Sequence, residues 1–228
     1  MAGASNRGER TLAFEQHMSD NEALMWNLEK DPALSSWFAS VSMLDTSPSM
    51  ERLRNRLLYV ASTVPRLRHR VVASLGRLSP PRWVEDHTFD IDFHVRRIGA
   101  PAPGGPDELA EVAVKILLDP FDRSRPLWQF IVVDGLADGK AALIQKMHHT
   151  ITDGEGGVRL AERFVDLERD AEDPEPKPFP EAEAPIASMV HAATDVAGHN
   201  VRRVGGLARR SVTSMVTNPL GAAKGTSA

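Results

Sequence analysis

The stretch PLWQFIVVDGLADGKAALIQKMHHTITDG, residues 126–154, decides the fold. Its two apolar runs flank a Gly- and Asp-rich segment, which predicts two strands joined by a turn. The second run, AALIQKM, ends at His148 and His149, and TDGEGG (152–157) predicts a turn before a new helix. Two histidines thus stand together in a chain that holds only 8, at a strand end, where clefts form. Neighbouring strand side chains point to opposite faces. The two rings are therefore expected to do different jobs, one facing a cleft and the other packing or bonding behind the sheet.

Working outward, MSDNEALMWNLEKDP (18–32) predicts a helix capped by Ser19 or Asp20, with Glu22 in its first turn, Pro32 beyond its end, and an inner stripe of Leu24, Leu28 and Met25. SSWFASVSML (35–44) reads as a strand with Trp37, Ala39, Val41 and Met43 on one face. From Met50 to Val64 apolar residues recur at spacings of three and four, a helical period that Pro65 ends. In FDIDFHVRRIG (89–99), Phe89, Ile91, Phe93 and Val95 alternate with polar residues, which predicts a half-buried strand with His94 on its exposed face. PDELAEVAVKILLDP (106–120) reads as a helix, with acids early and a proline stop, and EGGVRLAERFVDLERD (155–170) as another. The sum is a mixed α/β pattern, a mixed sheet with flanking helices and no regular βαβ repeat.

After residue 170 the composition changes. Residues 171–185 hold five prolines and five acids and read as a linker. Residues 186–216 repeat apolar or small residues at helical spacing, carry paired arginines at 202–203 and 209–210, and hold one acid, Asp195. Three readings stay open there: a bridge helix packed on another domain, a helix lying on an anionic membrane, or disorder. The expected organisation is a loose lead-in over 1–16, a domain over 17–170, a linker over 171–185 and a basic amphipathic helix over 186–228 that leads to a C-terminal domain, the bridge being the favoured reading and the membrane the next.

Composition excludes several classes of function. There is no cysteine, so there is no disulfide framework, thiolate metal site or cysteine nucleophile. The net charge of −4 argues against general nucleic-acid binding. No apolar run is long enough to span a bilayer and the N-terminus lacks a signal core, so a cytoplasmic protein is expected, with attachment to a membrane surface left open.

A neutral imidazole aimed into a cleft takes a proton from a hydroxyl or thiol near pH 7, provided a partner fixes its tautomer. Asp153 either orients the ring or loop or pairs with an arginine, and Gly154 allows a sharp turn. A His pair also suits a metal, but diverging rings and the lack of a completing ligand cluster argue against one. Arg66, Arg68 and Arg70 either attract phosphate or, the favoured reading, are solvated charge. Arg123 and Arg125 are expected to pair with Asp122 or Asp153 in a structural role, and Trp128 to pack the core.

HHTITDG (148–154) resembles the HHxxxDG signature of CoA-dependent acyltransferases, a superfamily that includes chloramphenicol acetyltransferase and peptide-synthetase condensation domains. MSDNEALMWNLEKDP, PRLRHRV, FDIDFHVRRI and SRPLWQF, with its PLW at 126–128, resemble blocks of the bacterial wax ester synthase/diacylglycerol acyltransferases, in that family's order, over about residues 17–170. The resemblance implies a chloramphenicol-acetyltransferase-like half domain. In that reading His149 is the general base, while His148, Asp153 and Gly154 support the motif. Trp128 and Arg125 are then structural or line a substrate tunnel. It implies acyl-CoA as co-substrate with no tightly bound cofactor, and diacylglycerol or a fatty alcohol as acceptor. The partner is a C-terminal half on the same or a separate chain, and the site is a cytoplasmic one, with the inner membrane face or lipid droplets as places of attachment. A non-catalytic scaffold and condensation-type transfer from a carrier protein are the alternatives.

Overall fold

The structure is a computed structural model that describes residues 16–73, 80–152, 160–165, 168, 171, 175, 178 and 179. The chain divides into two compact units, Met1–Val72 with Arg82–Phe179, and Ala73–Pro81 with Pro180–Ala228. Every element below belongs to the first. Asp153, Gly154 and the segment 186–228 lie outside the described residues, as does most of 171–185.

Helix α1 (Asp20–Leu28) starts where the capping pattern places it. Ser19 Oγ accepts from the Glu22 N–H and the Glu22 carboxylate accepts from the Ser19 N–H, a reciprocal capping box. Its buried face differs from the expected stripe. Leu24 and Leu28 are exposed and Trp26 is buried, with Glu29 on the same side. The large indole supplies more apolar area than either leucine and takes the inward position.

Strand β1 (Trp37–Leu44) and helix α2 (Met50–Thr63) follow, the helix capped by Ser49. A short antiparallel pair comes next, β2 (His69–Val72) with β3 (Arg82–Glu85). Residues 89–99 depart from the expected strand. Asp90 accepts from the Asp92 N–H and caps a single helical turn, α3 (Ile91–His94), and only β4 (Val95–Gly99) is extended. A capping aspartate offers the backbone a local bond that overrides two-residue alternation. As a result His94 is fully buried, not exposed.

Helix α4 (Pro106–Leu118) crosses over to β5 (Trp128–Asp134), which runs parallel to β4, and β6 (Ala141–His148) returns antiparallel. The sheet order is β1-β6-β5-β4, with the predicted hairpin strands in the centre. One core joins Leu57 and Val60 of α2 to Trp128 and Phe130 of β5. The other joins Leu109 and Val112 of α4 to Ile131, Val133 and Ile144. Strand β5 is buried along nearly its whole length, which accounts for the apolar run Phe130–Val133 within it, interrupted upstream only by the buried Gln129. Residues 160–164 are helical, with Leu160 in the first core.

Candidate active site

The two histidines leave the sheet between its neighbours' ends. The His148 N–H donates to the Leu127 carbonyl at 3.0 Å, and the His149 N–H donates to the Ser36 carbonyl at 2.8 Å. One backbone bond thus goes to each side, and the residues before β1 and β5 fix the pair. Leu127 is the middle of the PLW stretch, which gives that stretch a local reason to stand opposite the motif.

The rings diverge as strand geometry requires. His148 is buried and its two nitrogens are spent. Thr150 donates from its backbone N–H to His148 Nδ1 at 3.0 Å, and its hydroxyl lies 2.8 Å from the same atom. A backbone N–H only donates, so Nδ1 carries no proton and Nε2–H donates to Glu29 Oε1 at 2.5 Å. Glu29 also accepts from the Ser36 N–H at 2.8 Å, and Arg123 lies 3.4 Å from its other oxygen. Burial pushes the Glu29 carboxyl up, but the hydrogen bond from His148, the Ser36 N–H and the nearby Arg123 outweigh it and leave it below its ordinary value. Glu29 therefore holds the His148 ring with one oxygen and, through Ser36, the strand end that receives the His149 backbone.

His149 is exposed. Its ring lies against Phe38, with centroids 4.7 Å apart, and among the described residues neither ring nitrogen has a partner. Of the pair, only this imidazole has a nitrogen available to an incoming molecule.

The arginines take structural posts. Arg66 donates to Glu22 and to the Thr150 carbonyl, tying the α1 cap to the residue that fixes His148. Arg68 is buried, donates to the Ala61 carbonyl and pairs with Glu85 at 3.4 Å. Neither is the solvated charge expected from the sequence, because each finds carbonyls left open at an element end. Arg123 donates to the Trp26 carbonyl at 2.8 Å, with its guanidinium 3.5 Å from the Trp26 ring centroid. Arg125 is half-buried, 3.5 Å from Asp86, and donates to Thr88. Neither pairs through its guanidinium with Asp122, whose carboxylate accepts from Ser124. Trp128 is in the core: its Nε1–H donates to the Leu67 carbonyl at 2.8 Å and its ring stacks on His94 at 4.3 Å. Among the described residues no group of three or more His, Cys, Asp or Glu is placed to hold a metal ion, and no helix is long and apolar enough to cross a membrane.

Sequence reasoning missed Glu29, Thr150 and the role of Arg123. Glu29 lies three residues after the buried Trp26, on the same helical face, and an acid on a buried face is the signal that was there to read.

A wax ester synthase/diacylglycerol acyltransferase catalytic-domain pattern matches residues 18–227. The chain belongs to that family. A Mycobacterium tuberculosis protein named provisionally as a diacylglycerol O-acyltransferase is 40% identical over 164 residues, covering 71% of this chain and 33% of that protein. A second M. tuberculosis relative, also named provisionally so, is 38% identical over 148 residues, covering 63% of this chain and 31% of its own length. The chain thus spans about a third of these relatives. The fold matches the wax ester synthase/diacylglycerol acyltransferase from Marinobacter aquaeolei VT8 with a TM-score of 0.58 at 24% identity, over 82% of this chain and 46% of that one. It also matches the first condensation domain of the calcium-dependent antibiotic synthetase, with a TM-score of 0.56 at 13% identity, over 72% and 40%. Both likenesses concern fold, and they agree with the mixed sheet and flanking helices expected from the sequence.

Proposed function

We propose that this chain carries the general base of an O-acyltransferase that moves a fatty acyl group from acyl-CoA to diacylglycerol or a long-chain alcohol. The observation that carries the reading is the asymmetry of the histidine pair. His148 is fixed by Glu29 and Thr150 with no nitrogen to spare, while His149 presents its ring outward from a backbone clamped to Ser36.

In this reading a His149 ring nitrogen takes the proton of the acceptor hydroxyl as the alcohol oxygen attacks the thioester carbonyl. The C–O bond forms, the C–S bond breaks, and the imidazolium returns the proton to the departing CoA thiolate. Acyl transfer is direct and requires no nucleophilic side chain. In this reading Asp153 and Gly154 support the motif. The family fold beyond this chain's match supplies the opposite wall of the cleft.

The test joins this chain to the part of the 40%-identical M. tuberculosis relative that follows its matched segment, and measures transfer from radiolabelled acyl-CoA to diacylglycerol and to hexadecanol. His149→Ala is expected to lower kcat by about 10²–10⁴-fold, the range of a positioned general base. Transfer by the variant at the parent rate would rule out His149 as base. Release of free CoA with no acylated alcohol would replace transfer by thioester hydrolysis.

A further inference from the structure

The two histidine rings are held by different means. The His148 ring is fixed by hydrogen bonds that spend both nitrogens, with Thr150 on one side and Glu29 on the other. The His149 ring has no such bond among the described residues, and a general base needs a nitrogen left open to receive the proton. Its backbone is clamped, because its N–H donates to the Ser36 carbonyl at 2.8 Å. A clamped backbone alone does not aim the ring, since the last torsion of a histidine side chain is broad. With both nitrogens open, the ring can be held only through its face and carbon edge. The group found there is Phe38, with the ring centroids 4.7 Å apart and the planes tilted by 39°.

The register of β1 on β6 puts it there. Phe38 stands opposite Met147, and His149 lies two residues beyond Met147, so Phe38 and His149 are diagonal neighbours on one face of the sheet. Diagonal neighbours reach each other when the side chains are long or aromatic. Ser40 and Ser42, next along the same face of β1, are small; the aromatic ring falls at the position beside the histidine. Phe38 is 37% exposed and belongs to neither core, whereas Met147 opposite it is buried. Packing of the core therefore does not account for a phenyl ring at this position. The contact with His149 does.

We propose that Phe38 is a positioning residue for His149: its ring holds one flank of the imidazole, so that a nitrogen stays aimed at the acceptor hydroxyl without being spent on a hydrogen bond. The proposal rests on the reading of His149 as base and adds the residue that orients it. Such a contact acts on kcat, because proton transfer requires the nitrogen within about 2.6–3.2 Å of the hydroxyl oxygen. The strength of an aromatic pair corresponds to a factor of about 2–10 in the population of the aligned ring.

The test uses the joined chain described above, with kinetics on hexadecanol and on diacylglycerol. Phe38→Ala removes the ring and is expected to lower kcat about 2–10-fold for both acceptors, with KM unchanged. Phe38→Tyr keeps the ring and is expected to restore the parent rate. Adding Phe38→Ala to His149→Ala is expected to cost nothing further, since no base is left to position. A second measurement needs no activity. In this chain with isotope-labelled histidines, the His149 ring protons are expected to show magnetic cross-relaxation with the Phe38 ring. Phe38→Ala is expected to shift their resonances while the chain melts within a few degrees of the parent. Parent-rate kcat in Phe38→Ala, a raised KM with kcat unchanged, or a loss confined to one acceptor overturns the proposal. So does failure of Phe38→Tyr to restore the rate, a further loss in the double variant, or the absence of cross-relaxation between the rings. Parent-rate transfer by His149→Ala removes the base and the proposal with it. Slow transfer by His149→Ala beside parent-rate transfer by Phe38→Ala removes the proposal alone.

Discussion

At the scale of single residues, Glu29 holds two things at once, the proton on His148 Nε2 and the Ser36 N–H. Glu29→Ala leaves both donors buried and unpaired and is expected to cost about 2–4 kcal/mol in urea denaturation of this chain. Glu29→Gln keeps an acceptor but loses the charge. It is expected to lower kcat of the joined chain roughly tenfold by displacing the His149 backbone, with KM little changed. A raised KM with kcat unchanged would show that Glu29 acts on substrate binding instead. His94 gives a pH signature. Its Nδ1–H donates to the Trp128 carbonyl at 2.8 Å, and burial lowers its pKa to about 4, against the opposing pull of that bond and of Asp86. A histidine held neutral in the fold binds its proton more readily when unfolded. Its contribution is therefore whole above its ordinary value of 6.5 and is lost as pH falls from there toward 4, by roughly 3 kcal/mol. Melting curves from pH 7 to 4 should show His94→Asn, less stable at pH 7, losing about one proton's worth of that slope.

Among the elements, α4 is tied to the sheet at its last turn. The Trp37 Nε1–H donates to the Leu117 carbonyl at 2.6 Å, and the buried Lys146 donates to the Ile116 carbonyl at 2.8 Å and to that of Asp119. Helix ends leave carbonyls without partners, and a cation there also meets the negative end of the helix dipole. Lys146→Met keeps the length of the stem and removes the donors. It is expected to destabilise by about 2 kcal/mol, a fall in melting temperature of about 4–8 °C by differential scanning calorimetry. Elements with strong local signals were legible in the sequence: the capped α1, the proline-bounded α4, the β5–β6 hairpin and the divergence of the two histidines. What was not legible depends on partners distant along the chain. Lys146 reads as an exposed strand residue until α4 folds over it. His94 reads as solvent-facing until Asp90 bends the backbone and turns the ring onto Trp128. Glu29 becomes part of the site only when α1 meets the end of β6, 119 residues away.

For the molecule as a whole, the pairing of β1 with β6 has a consequence in time. Every residue from Trp37 to Leu44 waits for a partner between Ala141 and His148. On the ribosome that partner follows roughly a hundred residues later, an interval of about 5–20 s at ordinary rates of synthesis. Nascent chains stalled short of residue 141 are expected to be cut by a nonspecific protease within 37–44, and chains extended well past 148 to be spared; equal cutting at both lengths would mean that β1 finds another shelter first. During that interval the strand that later stands nearest the candidate base is an unpaired, uncharged ribbon. Its fate in a crowded cell then depends on holding chaperones and on the pace of translation as much as on the stability of the finished sheet.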